Sequence, residues 1–140
     1  MSEEQSNAAT LREAFGRWHE TRGSDPSMWR DYVTEDFQLR SIADGAYNLQ
    51  FTAKRRGRAD FEAYLTGLTE NLEMNEWSLQ DTIAEGDRVV GLGQTTWTNR
   101  RTGRRFSTPI AIVARFRDGR ICEYMEYYDT AAVAATMDGA

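Results

Sequence analysis

Residues Arg115–Asp129 read RFRDGRICEYMEYYD, and this stretch decides the fold. At its centre is Asp118-Gly119, a pair that favours the tight turns of β-hairpins because both residues tolerate positive φ. The residues on either side alternate. The stretch therefore predicts the end of one strand, a tight turn, and a final strand over residues 120–129. A period of two puts Cys122, Tyr124, Glu126 and Tyr128 on one face of that strand, and Glu123, Met125, Tyr127 and Asp129 on the other. One carboxylate flanked by two tyrosines is the most chemically suggestive group in the chain.

Upstream the same alternation continues. Residues 77–84, 88–99 and 105–117 read as strands, separated by turns at Glu85-Gly86-Asp87 and around Gly103. With the last strand they form an antiparallel meander. Before residue 75 the period is helical. Phe61, Tyr64, Leu65, Leu68 and Leu72 form one stripe, which predicts a helix over 57–72. Leu11, Ala14, Phe15 and Trp18 predict another over 10–22, opened by a capping box of Thr10 and Glu13. Asp25-Pro26 starts a short helix with Asp25 as cap, and Met28, Trp29, Tyr32 and Val33 supply its apolar side. Residues 37–42 read as a short strand. Residues 43–56, with Tyr47, Phe51 and the basic run Lys54-Arg55-Arg56, read as a loop or an irregular edge strand. Residues 1–7 are expected to be a disordered tail, residues 8–136 one domain, and Thr130–Thr136 a closing helix. Helices first and a meander last give an α+β fold. Long strands twist, so a curved antiparallel sheet wraps around the N-terminal helices as a cone open at one end.

The totals narrow the function. At 140 residues the chain suits a single domain with its own core. A net charge of −5 argues against a nucleic-acid or anionic-membrane surface. Cys122 is the one cysteine, so there is no intramolecular disulfide framework and no cysteine zinc cluster. His19 is the one histidine, so there is no multi-histidine metal site. Its place beside Glu20 near a helix C-terminus suits a surface residue. No nucleotide or metal motif is present, and no cofactor is expected. The first ten residues have no apolar signal core and no run reaches the length of a membrane span, which points to the cytoplasm.

Glu126 has two readings. It points into the cone, among Ile110, Ile112, Ala114, Gly93, Thr95 and Trp97. There its carboxyl would be poorly solvated and poised for general acid–base work. Alternatively it faces the open side of the sheet or pairs with an arginine such as Arg115. Tyr124 and Tyr128 either orient a substrate oxygen or are core residues with satisfied hydroxyls. Asp129, out of phase with Glu126, reads as the cap of the last helix. The arginines at 100, 101, 104 and 105 straddle a hairpin turn and read as solvated charges.

Trp29-Arg30-Asp31-Tyr32-Val33-Thr34-Glu35-Asp36-Phe37, Gly57-Arg58-Ala59-Asp60-Phe61, Glu85-Gly86-Asp87-Arg88-Val89-Val90 and Phe116-Arg117-Asp118-Gly119-Arg120-Ile121 occur in an order and spacing similar to the NTF2-like superfamily. Within it the chain resembles the SnoaL-like and ketosteroid isomerase-related proteins over about residues 8–135. The resemblance implies a conical α+β barrel. It also implies a homodimer through the convex sheet face, here Ala111, Val113, Met125 and Tyr127. The base position of ketosteroid isomerases falls on Ser41, their second acid near Ile112 and their first-helix tyrosine near Arg17, so that mechanism is not retained. The central-strand Arg and Asp of limonene epoxide hydrolase-like proteins fall on Gly93 and Thr95. Their last-strand acid, like the base of SnoaL-like cyclases, falls on Glu126. The implied function is a cofactor-independent isomerase, cyclase or epoxide-hydrolase-like enzyme. Glu126, Tyr128 and Tyr124 would be catalytic. A small apolar substrate would lie against Trp18, Leu39, Ser41, Tyr64, Thr95, Trp97, Ile110 and Ile112. The alternative is a non-catalytic ligand-binding or dimerisation module with a cone filled by its own side chains.

Overall fold

The structure, a computed structural model, describes residues 2–46 and 52–137. Tyr47 and Phe51 lie outside the described residues. Helix α1 spans Glu3–Glu20 and is followed by a 3-10 helix over Pro26–Asp31. Then come β1 (Val33–Ser41), the two-residue β2 (Arg55–Arg56), α2 (Arg58–Asn71), β3 (Leu72–Glu85), β4 (Arg88–Asn99), β5 (Arg105–Arg117), β6 (Arg120–Tyr128) and α3 (Thr130–Met137).

The strands form one curved, unclosed sheet in the order β2-β1-β6-β5-β4-β3. The four strands from β3 to β6 make the expected meander. Strand β1 joins it parallel to β6, with Ser41 level with Glu126, and pairs antiparallel with β2 on its other side. Register shifts occur in β3 between Met74 and Glu76 and between Leu79 and Asp81, and on the β5–β6 ladder after Arg115. Such bulges bend a strand and increase its twist.

The N-terminus differs from the expectation of a tail. Residues 3–7 are the opening turns of α1, and Ser2 and Gln5 form a reciprocal capping box. Glu3 and Glu4 complement the positive end of the helix, and Asn7 is already buried. The Ser-x-x-Gln box thus replaces the one expected at Thr10, whose hydroxyl bonds back to the Ser6 carbonyl in mid-helix. Asp25 makes no side-chain cap bond and instead accepts one from the Ser27 hydroxyl at 2.5 Å. Strand β3 starts at Leu72, immediately after α2, rather than near Trp77.

The core lies between the concave face and α1, α2 and the 3-10 helix. It is rich in aromatic rings. Phe15 stacks on Trp77 with centroids 4.9 Å apart and meets Trp29 edge-on at 5.2 Å. Phe61 contacts Phe37 at 4.5 Å and Trp29 at 5.8 Å. Edge-on and offset ring pairs contribute beyond area burial. His19 is half-buried rather than fully on the surface. Its Nδ1 accepts the backbone N–H of Trp77 at 3.1 Å and so ties α1 to the sheet edge.

The arginines of the 99–104 turn stay exposed, as expected, and three of them also bond to helix ends. Arg100 donates to the Thr69 carbonyl at 3.0 Å, at the end of α2. Arg104 donates to the Ala135 carbonyl at 3.1 Å and Arg101 to that of Met137, at the end of α3. Asn99 and Thr102 both donate to the Thr136 carbonyl, at 3.1 and 2.8 Å. Helix C-termini present unpaired carbonyls and partial negative charge. The turn satisfies both and holds α3 against β4 and β5.

Candidate active site

Three elements converge on Glu126. Strand β6 carries it on the concave face, where it pairs across the ladders with Ile112 of β5 and Ser41 of β1. Helix α2 delivers Tyr64, which is buried and donates its hydroxyl to Glu126 Oε1 at 2.9 Å. Glu126 itself is 9% exposed. The pairing with Arg115 does not occur. Arg115 lies on the convex face, 3.4 Å from Glu123 and 3.6 Å from Asp87.

Burial pushes the Glu126 carboxyl up to about 6, because the surrounding apolar groups disfavour its charged form. Hydroxyls of Tyr64, Ser41 and Tyr124 pull in the opposite direction, and desolvation is the larger effect. The same burial, together with the Glu126 charge, raises Tyr64 and Tyr124 well above the ordinary phenol value, and Tyr128 to about 12. All three remain neutral hydrogen-bond donors near neutral pH. The Tyr128 and Ser41 hydroxyls lie 2.5 Å apart.

Two small cavities meet at this carboxylate. The outer one, about 60 Å³, is bounded by β3 to β6, by α2 and by Val133 of α3. Tyr128, Thr95, Trp97 and Ile110 line it together with Glu126 and Tyr64. The inner one, about 30 Å³, includes Trp18, Leu39 and Tyr124 in its wall. Glu126, Tyr64, Leu68, Trp77 and Trp97 border both. Of the residues expected around a substrate, Ser41 and Ile112 line neither cavity. Ser41 is buried behind Tyr128, and Ile112 is fully covered beneath Glu126. The Thr95 hydroxyl is committed to the scaffold, accepting the Trp97 indole N–H at 2.6 Å and donating to the Glu76 carbonyl at 2.8 Å.

The sequence reading missed Thr52, Leu68, Leu72, Trp77, Phe106, Thr108 and Val133 on the outer cavity. Phe106 and Thr108 were reachable, since they continue the Ile110 face at period two. Trp77 was not, because the β3 bulges break the alternation there. The position of Gly93 also has a steric reason. A Cβ there would meet the Ser78 carbonyl oxygen at 2.0 Å, so this strand crossing excludes any side chain. Asp129 caps α3 as expected, accepting the Ala132 N–H at 3.0 Å. Among the described residues no three His, Cys, Asp or Glu side chains converge as metal ligands.

Comparison with solved structures returns the same architecture. An NTF2-like protein from Burkholderia thailandensis is 23% identical with a TM-score of 0.80, covering 99% of each chain. A protein from Bacillus subtilis named as a candidate isomerase is 20% identical with a TM-score of 0.81, covering 100% of this chain and 98% of that one. A protein from Jannaschia sp. named as a candidate SnoaL-like polyketide cyclase is 20% identical with a TM-score of 0.77, covering 97% and 94%. No curated protein matches the sequence. At these identities the structures share the fold, and a fold hosts many chemistries. The model of the SnoaL-like domain matches residues 11–124, which is most of the chain, and the protein belongs to that family.

Proposed function

We propose that the protein is a cofactor-independent acid–base enzyme that acts on a small apolar molecule in the cone, with Glu126 as its base. The observation that carries this reading is a buried carboxyl with no cationic partner among the described residues, raised to about 6 and bordering two cavities. A carboxyl in that range exchanges protons near neutral pH. A buried ionisable group is costly unless it is used or paired. As base, Glu126 takes a proton from carbon next to a carbonyl, and the electron pair moves onto the carbonyl oxygen. Tyr128, a neutral donor in the wall of the outer cavity, hydrogen-bonds that oxygen as its charge develops. Protonation of a different carbon completes an isomerisation. Attack by the enolate on a second carbonyl completes a cyclisation.

The volume restricts the substrate. A dry apolar cavity of about 150 Å³ holds benzene, so about 60 Å³ suits a molecule of only a few heavy atoms. A larger substrate requires displacement of α3. The test is a screen of small ketones, epoxides and short polyketide mimics with wild type and Glu126→Gln. Loss of turnover in a folded variant is the expected result, and full activity in Glu126→Gln removes Glu126 from the mechanism.

A second reading, an assembly module, is favoured by the convex face. Met125, Val113, Val90 and Ile83 form one cross-strand row, and Tyr127, Ala111 and Leu92 the next. Ile83, Leu92 and Tyr127 are 58%, 38% and 41% exposed. A contiguous apolar patch of this kind suits a second copy of the chain. Sedimentation of wild type and Val113→Lys tests it. Wild type should sediment as a dimer and the variant as a monomer, and a monomeric wild type removes the homodimer.

A further inference from the structure

Strand β1 ends at Ser41, which is level with Glu126 on the parallel ladder to β6, so the two side chains stand side by side on the concave face. Tyr128 lies two residues beyond Glu126 and shares that face. The Ser41 and Tyr128 hydroxyls lie 2.5 Å apart, and either oxygen can be the donor. The Ser41 hydroxyl also bonds the Glu126 carboxyl. Ser41 therefore stands between the buried carboxyl and the tyrosine, and it is only 2% exposed. Two further groups meet the Tyr128 oxygen. One is the backbone N–H of Ala43, and the other is the Thr52 hydroxyl, which accepts the Gly45 N–H at 2.9 Å. Each hydroxyl carries one proton. With Glu126 ionised, Ser41 donates to the carboxylate and has only its oxygen left for Tyr128, so Tyr128 donates to Ser41. With Glu126 protonated, its O–H donates to Ser41, the Ser41 proton turns to the Tyr128 oxygen, and the Tyr128 proton is released toward the outer cavity that both residues line.

We propose that Ser41 is a positioning residue that couples Glu126 to Tyr128, so that the tyrosine offers its proton to a substrate oxygen only once the carboxyl has taken one. This deepens the acid–base reading above and rests on it. The protons balance. Glu126 takes a proton from the carbon next to a carbonyl, the C–H electron pair forms the C=C bond, and the carbonyl π pair moves onto oxygen. The carboxyl passes its proton to Ser41 Oγ, the Ser41 proton moves to the Tyr128 oxygen, and the Tyr128 proton moves to the substrate oxygen. Ser41 and Tyr128 each gain one proton and lose one. The carboxylate is restored and the product is a neutral enol. Among the described residues, the other titratable groups facing Glu126 are Tyr64 from α2 and Tyr124 from β6, both neutral donors. Strand β5 presents Ile112 at this level, and α1, α3, β3 and β4 present Trp18, Val133, Trp77 and Trp97, none of which titrates. Arg55 of β2 lies over the Tyr64 ring at 6.0 Å and pairs with Asp60.

The coupling is read by NMR on full-length protein labelled at the tyrosine Cζ carbons and titrated from about pH 3 to about pH 8. Tyr128 is assigned from Tyr128→Phe, and the Glu126 carboxyl carbon is followed in the same samples. Tyr128 Cζ is expected to shift with the midpoint of Glu126, because its hydroxyl changes from donor toward Ser41 to acceptor from it. In Ser41→Ala the Tyr128 shift should shrink at least about twofold. Glu126 should then titrate above about 6, since one contact that lowers it is gone. The Tyr64 response, which comes from its direct bond to Glu126, should remain. Ser41→Thr, which keeps the hydroxyl, should restore the Tyr128 shift. The coupling is overturned by a Tyr128 Cζ that does not follow Glu126, or by a full Tyr128 shift in Ser41→Ala, the result if the Thr52 hydroxyl takes the Tyr128 proton instead. Equal losses in Ser41→Ala and Ser41→Thr also overturn it. If Ser41→Ala does not fold, the wild-type titration supports the coupling when Tyr128 follows Glu126 and overturns it when Tyr128 stays flat. The Glu126 midpoint keeps the two readings apart. A flat Tyr128 with Glu126 near about 6 removes only the role of Ser41. A Tyr128 that follows Glu126 through Ser41 with a midpoint near roughly 4 keeps the coupling and removes the acid–base reading.

Discussion

The Tyr64 hydroxyl lies 2.9 Å from Glu126 Oε1, with both side chains buried, and this bond joins α2 to the last strand across the core. Of the two opposing influences on the carboxyl, burial exceeds the hydroxyl contacts, so the group is raised rather than lowered. Tyr64→Phe removes one of the lowering contacts. The Glu126 carboxyl should then titrate above about 6, as read by carboxyl-carbon NMR. The folded protein should lose roughly 1.5–3 kcal/mol at pH 8, where the lost bond is to a charged acceptor. A downward shift would show that Tyr64 does not stabilise the ionised form.

The raised carboxyl also makes stability depend on pH in a defined direction. From an ordinary value of 4.5 it rises to about 6 on folding. Between these values the folded chain holds a proton that the unfolded chain has released. The associated stability is present below pH 4.5 and is lost as pH rises through about 6, an effect of ~2 kcal/mol. Glu126→Gln lacks this titration. Denaturant unfolding should show the variant gaining on wild type by up to about 2 kcal/mol between pH 4.5 and pH 7. A constant difference across that range would mean that the carboxyl is not raised.

At Gly93 the strand crossing leaves no room for a Cβ, which would sit 2.0 Å from the Ser78 carbonyl oxygen. The obstacle is backbone and cannot rotate away. Gly93→Ala should cost about 3 kcal/mol or more in urea unfolding. A loss below about 1 kcal/mol would show that the β3 bulge is slack.

Helix α3 should depend on the turn beneath it. Arg101 and Arg104 both donate to carbonyls at its C-terminal end, and Val133 of the same helix borders the outer cavity. The double substitution Arg101→Ala/Arg104→Ala should loosen residues 130–137 by about 1 kcal/mol, or roughly fivefold faster amide exchange there. Exchange in β4 and β5 should be unchanged. Unchanged exchange in α3 would mean that Asn99 and Thr102 suffice to hold it.

Much of this protein was legible in the sequence because its patterns are local. The Asp118-Gly119 hairpin, the β4 and β5 limits and the Phe61–Tyr64–Leu65 stripe follow from turn chemistry and period. Period two alone put Glu126 on the same face as Tyr124 and Tyr128 and near Ile110, Ile112 and Ala114; the register opposite Ile112 comes from the structure. The start of α1 was misread by seven residues, although Ser2 and Gln5 carry the capping signal, because the polar opening lacks an apolar stripe. What the sequence could not supply were relationships between distant segments. The parallel pairing that puts Ser41 beside Glu126, the arrival of Tyr64 from α2 and the helix-capping arginines all depend on how elements pack. Periodicity tells which way a side chain points. Only packing decides whether the group it meets is water, a counter-charge or an apolar wall, and at Glu126 that choice sets the chemistry.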